Sequence, residues 1–542
     1  MGISSQIVER VKSLDVTTLL LLLPAAVILV HVIAWLLDPR GVRAYPGPWL
    51  ARFTDLWLGR VAAKGHRSEV VHELHKRYGT FVRLAPNHVS IADPAALQVV
   101  YAHGNGSLKS NFYDAFVSIQ RGLFNTRDRT AHARKRKIVS HIFSQRNVLE
   151  FEPYVREYVR TFLQQWDRLC DGGAKGLRGD DGEGGWEGRE GRVWLDCLPW
   201  FNYLAFDIIG DLAFGSPFGM LQAAKDSAPV AKDTTQAISS YGEDKAEYEV
   251  VHIPAVKILN DRGEYSASMG VLPPWVRPFV KRYIPWYSKG GKAVQNLAGL
   301  AVAAVAKRLS NPSYRVDLLS KLQEGKDDEG KPMSREELTA EALTQLIAGS
   351  DTTSNSSCAI TYYLATNPRC QKKLQTELDA ALENDDDPVS MFEVVKKLPY
   401  LEAVINESLR LHSTSAIGLP RIVPEGGLTV LGRSFPEGTV LSVPSYTIHR
   451  DTEVWGDDAE DFRPERWFER DSEAIQRTFN PFSFGPRACV GRNLANMELL
   501  VIISSIMRRY SIVLENPEKH FDTSEGFLRK PLECKVGIKR RS

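Results

Sequence analysis

The residues best placed to do chemistry lie in Phe482–Gly491, FSFGPRACVG, where one cysteine shares a tight run with two glycines, a proline and an arginine. The segment that follows, Arg492 to Arg508, has the apolar spacing of a helix. Cys489 is therefore expected on a loop at a helix mouth, where backbone N–H groups and the positive end of the helix dipole favour a thiolate. A thiolate held that way can ligate a metal. Gly485 and Gly491 permit positive φ or the close approach of something flat and bulky. Arg487, two residues before the cysteine, can reach an anionic group on the rim of such a ligand.

Three further groupings carry chemistry in their spacing. Ala348–Ser354 reads AGSDTTS inside a helical pattern that opens at the capping box Ser334-Arg335-Glu336-Glu337 and stops at Asn367-Pro368. That pattern covers roughly 32 residues, or about 48 Å. Glycine and hydroxyl residues are poor helix-interior choices, so a functional local break is expected there. Glu407 and Arg410 are three apart on a helix and can pair, and Phe462–Arg466, FRPER, supplies a second arginine. His132 and Arg136 are four apart, on one face of a basic helix from Asp128 to Phe143.

The pattern Phe482-x-x-Gly485-x-Arg487-x-Cys489-x-Gly491 resembles the haem-binding signature of the cytochrome P-450 family at every defined position. The resemblance implies haem b, iron protoporphyrin IX, with the Cys489 thiolate as proximal ligand favouring O–O cleavage. It implies a mainly α fold with small β-sheets, the cytochrome P-450 fold. Ala348–Thr353 is similar to the family's oxygen-activation motif. Small residues such as Gly349 would leave room for dioxygen, Thr352 would steady it and a water, and Asp351 would relay protons. Glu407, Arg410 and Arg466 resemble the family's buried structural network. His132, Arg136 and Arg421 match positions that reach haem propionates, with His132 standing where many members carry tryptophan.

The elements around these residues follow from pattern. Phe81–Leu84 and Val89–Ile91 read as a hairpin, and Asp93-Pro94 opens a helix to about Tyr101. The aromatic loop from Gly104 to Asn125 leaves substrate contact and ordinary packing both open. Residues 172–191 are glycine-rich and mixed in charge, and read as a disordered insert. Phe201–Phe218 reads as an apolar helix. Ala224–Tyr287 is less legible, with roof helices expected over the substrate.

Bulk properties narrow the rest. The chain has 542 residues and a net charge of +2, which implies no nucleic-acid partner. Length alone suggests several domains, but the family packs nearly this much chain around one haem, so residues 52–542 read as one catalytic domain. The six cysteines, at 170, 197, 358, 370, 489 and 534, show no paired spacing and fit a reducing compartment. After a tail (1–15), Val16–Leu37 is almost unbroken apolar sequence, about 33 Å as a helix and enough to cross a membrane. Arg40, Arg43 and Arg52 flank its C-terminal side, and residues 38–51 form a proline-rich hinge. This resembles endoplasmic-reticulum members of the family, with one anchor and a cytosolic enzyme. No glycine-rich dinucleotide fingerprint follows a strand, so electrons are expected from a separate NADPH-cytochrome P-450 reductase. Arg134, Lys135 and Lys137 are expected near the surface it would approach.

Several stretches, among them Phe112–Ile119 and His412–Ala416, look like fungal benzoate para-hydroxylases. A benzoate carboxylate must be held away from the iron, and a buried anion needs donors or a cation. Asn111, Tyr113, Ser413, Thr414 and Ser415 are the expected donors, with Phe112 and Phe116 packing the ring. The alternatives are a family member acting on another phenolic, aromatic or terpenoid substrate, a member that rearranges or dehydrates, and a haem-binding sensor without turnover.

Overall fold

The long helix predicted between Ser334 and Asn367 forms over Arg335–Thr366 in the computed structural model, which describes residues 16–233, 236, 249–310, 317–327, 329–383 and 386–541. Ser334 Oγ accepts the N–H of Glu337 at 3.2 Å. The return half of the capping box is not made, because the Glu337 carboxylate turns to Arg134 and Lys135. Lys135 is therefore buried against an acid, while Arg134 pairs with the same carboxylate and stays partly exposed. Lys137 remains exposed. The expected break is also absent. Ser350 and Thr352 hydroxyls donate to the carbonyls of Leu346 (2.8 Å) and Ala348 (2.7 Å) four residues back, which places them within an unbroken ladder.

This central helix runs through the core. It packs on Cys197–Phe214, a mostly apolar helix buried along nearly its whole length, whose Asp207 carboxylate accepts backbone N–H groups of Gly219, Met220 and Leu221. On its other flank lies the helix Arg492–Arg509 that follows the cysteine loop. The expected hairpin forms as Phe81–Ala85 and His88–Ile91. Its sheet continues through Val440–Ser442 and Arg421–Ile422 to Leu108–Lys109. The last pairing sets Lys109 opposite Arg421, so two cations separated by most of the chain become neighbours.

Residues 172–191 are not disordered. Arg178–Gly179 and Trp186–Arg189 are strands that join Arg192–Asp196, Lys535–Arg540 and Tyr510–Leu514 in one sheet. The average composition of the insert hides Trp186, whose Nε1 donates to Asp181 at 2.9 Å while its ring packs on the main core. Trp186–Arg189 pairs directly with Arg192–Asp196 in a local hairpin, and the C-terminal strand Lys535–Arg540 lies on that hairpin's other side.

The N-terminal segment is helical over Val16–Leu37. Among the described residues, no helix is long and apolar enough to cross a membrane. The tail at 1–15 lies outside the described residues. The Glu407 helix forms over Pro399–Leu411, and Glu407, Arg410 and Arg466 are all fully buried together.

Candidate active site

Cys489 lies in the loop between a short turn at Gly485–Arg487 and the helix that begins at Arg492. Its N–H donates to the Phe482 carbonyl at 2.8 Å, which closes the loop. Gly485 has φ +71°, and a Cβ there would fall 1.8 Å from the Tyr101 carbonyl oxygen, so only glycine fits. A Cβ on Gly491, by contrast, would meet nothing within 4 Å. Burial pushes the Cys489 thiol pKa up, against the Gly491 N–H, Arg136 and Arg492, which pull it down. A bound cation would favour its thiolate form.

Above this loop is a chamber whose walls include Phe124, Gly349, Thr352, Thr414, Ser415 and Leu494. Its rim is strongly basic. Lys109 is buried, donates to the Phe124 carbonyl, and is held well below the usual lysine range by burial and then by Arg421, Arg487 and Arg136. Arg421 Nη1 donates to Tyr113 Oη at 3.0 Å, while its Nη2 is buried without a partner. Arg487 donates to the carbonyls of Thr126 (2.7 Å) and Arg127 (3.2 Å), and burial followed by Arg421 lowers its pKa to about 10. His132 is pushed down to about 3 by burial and then by Arg487, Lys109, Arg136 and Arg421. Arg136 donates to the Ala488 carbonyl at 2.6 Å and so steadies the cysteine loop itself. Such a gathering of like charges is costly unless an anion joins it. A flat ligand with two carboxylates at one edge and a metal above Cys489 answers each of these features. The residues present fit haem.

Comparison with known proteins agrees. The cytochrome P450 family profile matches residues 44–538. The chain is 51% identical over 509 residues to benzoate 4-monooxygenase bphA of Aspergillus niger, covering 92% of this chain and 93% of that protein. It is 31% identical to the cytochrome P450 monooxygenase astJ of Aspergillus oryzae, over 89% of each.

The chain belongs to the cytochrome P450 family.

This family binds haem through a cysteine thiolate, and Cys489, on the loop beneath the chamber, is the residue of this cytochrome P450 that would hold it. Thr352 lines the chamber, and Asp351 lines an adjoining cavity that Thr352 shares. Burial raises the Asp351 pKa, with Lys530 and the Asn355 amide (3.3 Å) opposing it. Gly349 lines the chamber, but a side chain there would first strike Ile209, at 2.8 Å, so its smallness also lets two helices touch.

The expected substrate residues separate. Tyr113, Thr414 and Ser415 line the chamber, and Phe116 lines the adjoining cavity. Ser413 directs its hydroxyl to the Leu409 carbonyl and His449 Nδ1, both at 2.8 Å. Asn111 and Phe112 line a different cavity, beside Arg67 and Pro273.

Sequence reasoning missed Lys109, Phe527 and Glu498. Glu498 lines the chamber, accepts from the Thr353 hydroxyl at 2.8 Å, and is pushed up to about 7 by burial. The six cysteines are also less scattered than their spacing implies. The sulfur atoms of Cys197, Cys358 and Cys534 lie within 4.8 Å of one another in the core, apart from Cys489.

Proposed function

We propose that this cytochrome P450 hydroxylates benzoate at the para position, giving 4-hydroxybenzoate and water from dioxygen, two protons and two electrons. The electrons come from NADPH through a separate NADPH-cytochrome P-450 reductase. The observation that carries the reading is 51% identity, across nearly the whole of both chains, to a protein named for that reaction. The aromatic walls of the chamber and its neighbouring cavity suit a single ring.

The haem, bound to Cys489, supplies oxygen activation. The chain supplies the rest. Phe116, Phe124 and Phe527 exclude water from the ring's path. The Thr352 hydroxyl faces the chamber while donating to the Ala348 carbonyl, so its lone pairs are free to accept. Asp351, beside Lys530, delivers protons toward Thr352. With reductase and NADPH, wild-type protein should bind benzoate, shown by a difference spectrum, and form 4-hydroxybenzoate. Thr352→Ala should still consume NADPH but divert it to hydrogen peroxide, with several-fold less product per NADPH. A product yield equal to wild type would remove Thr352 from the proton path, and no benzoate product from wild type would remove benzoate.

We also propose that the N-terminal helix anchors the enzyme in the endoplasmic-reticulum membrane with the catalytic domain in the cytosol. Ile28, Val30 and Leu37 are 63%, 65% and 75% exposed, an apolar surface that water does not favour. Trp49, Trp275 and Phe279 are exposed as well, and aromatic residues of this kind settle at membrane–water interfaces. Deleting residues 1–37 should shift the protein from the membrane pellet toward the supernatant, and an unchanged distribution would refute the anchor.

A further inference from the structure

The cavity that adjoins the haem chamber has a volume of about 150 Å³ and shares Phe124, Ala348, Thr352, Phe527 and Leu528 with it. Its lining includes Arg262, on the roof helix Ala255–Val271. Arg262 is 7% exposed. Its Nη2 donates to the Phe116 carbonyl at 3.0 Å, a carbonyl that also accepts from the Asn125 amide at 3.0 Å. Its Nε has no hydrogen-bond partner. Among the described residues, no carboxylate comes within ion-pairing distance of it. Burial alone lowers its pKa, to about 10, so it stays charged at neutral pH. Ser118, on the same cavity wall, has a buried hydroxyl that is likewise unpartnered.

The other charged groups of this cavity do not answer Arg262. Glu264 pairs with Lys530 at 3.2 Å, and Asp351 lies beside Lys530 on the central helix. A buried guanidinium with a free N–H and no counter-ion is costly, and such a group is retained where an anion completes it. A guanidinium is also the side chain whose geometry best matches a carboxylate.

We propose that Arg262, assisted by the Ser118 hydroxyl, binds the carboxylate of an aromatic acid, so that the ring extends past Phe116 and Phe124 toward Thr352. This inference rests on the benzoate reading and adds a cation to the Thr414 and Ser415 hydroxyls, which carry no charge to meet the carboxylate. The Ser413 hydroxyl is engaged elsewhere, Asn111 faces another cavity, and the Tyr113 hydroxyl accepts from Arg421. An acid held at Arg262 presents the ring position opposite its carboxylate to the chamber, and that is the geometry para attack requires.

The test measures dissociation constants from difference spectra of the haem-loaded protein, with benzoate and its neutral amide as a matched pair. Arg262→Leu should weaken benzoate by about 10²-fold while leaving benzamide nearly unchanged. Arg262→Lys should restore part of the loss, and Ser118→Ala should weaken benzoate by a smaller factor. An unaltered carbon-monoxide spectrum in each variant confirms the fold. Equal losses for acid and amide in Arg262→Leu, or no loss for either, would overturn the anchor. If wild type binds other aromatic acids but not benzoate, the benzoate reading fails, yet the same acid-to-amide comparison on those ligands still decides Arg262. If wild type prefers no acid over its amide, the anchor fails with it.

Discussion

Glu407→Ala should destabilise the protein by about 3–5 kcal/mol and release haem, because it leaves buried Arg410 without its counter-charge and Arg466 with only the partly exposed Asp458, at 3.0 Å. The carboxylate receives five donors. Arg410 contributes Nε and Nη2, both at 2.9 Å, and Arg466 contributes Nε at 2.7 Å. Trp467 Nε1 adds a bond at 3.1 Å and the Arg463 N–H another at 3.0 Å. All three charged side chains are fully excluded from solvent. The remaining N–H groups of the arginines hold the chain that follows. Arg410 donates to the carbonyls of His449 and Ala459, and Arg466 to those of Trp455, Asp458 and Asp461. From there the order passes to the cysteine loop, for the Asn480 N–H donates to His449 Nε2 at 3.0 Å. Thermal unfolding and haem retention after gel filtration both measure the effect. Glu407→Gln, which keeps the shape and loses the charge, should fall between wild type and alanine. A melting temperature within one or two degrees of wild type for Glu407→Ala would show that the network is not what shapes this region.

How far the sequence discloses all this depends on the range of the forces involved. The central helix, the hairpin at Phe81–Ile91 and the helix after Cys489 are set by local spacing and caps, and each forms within a residue or two of the pattern. The haem loop is legible because a ligand imposes several residue types at fixed offsets. Lys109 and Arg421 are different. Arg421 is marked by the resemblance, but Lys109 looks like an ordinary surface cation until a two-residue strand pairing puts it beside Arg421. Trp186 is concealed differently, since the glycine-rich, charged average of its segment hides a local hairpin with Arg192–Asp196. Arg262 is the most concealed. It sits in Ala224–Tyr287, where the helical pattern is weak, and an arginine there reads as solvated. Only the packing of Phe116 and Asn125 against it reveals a charge with nothing opposite. The missing helix break at Gly349 has a local explanation of another kind: the hydroxyls that compete for helix carbonyls bond to those four residues back and leave the ladder intact.

Cys489→Ala should leave a folded protein with no turnover, a loss well beyond the roughly 10–100-fold that follows removal of an outer-shell partner at a metal site. Folding should survive because the Cys489 side chain faces the chamber, and what closes its loop is backbone: the N–H to the Phe482 carbonyl and the Gly485 turn. Some haem should still bind, since Lys109, His132, Arg421 and Arg487 remain to meet its carboxylates. Its reduced carbon-monoxide adduct, however, should lack the red-shifted band that sulfur ligation produces. Cys489→Ser should behave the same way, because a serine hydroxyl does not ionise near neutral pH and cannot push electron density as a thiolate does. The buried cysteine trio provides the control. Cys534→Ala alters a sulfur that lies within 4.8 Å of two others and away from the chamber, so it should leave the band in place. A red-shifted band that persists in Cys489→Ala and disappears in Cys534→Ala would transfer the iron from the loop to the core, and the cation cradle, the proton path and the Arg262 anchor would all lose the reference point that orients them.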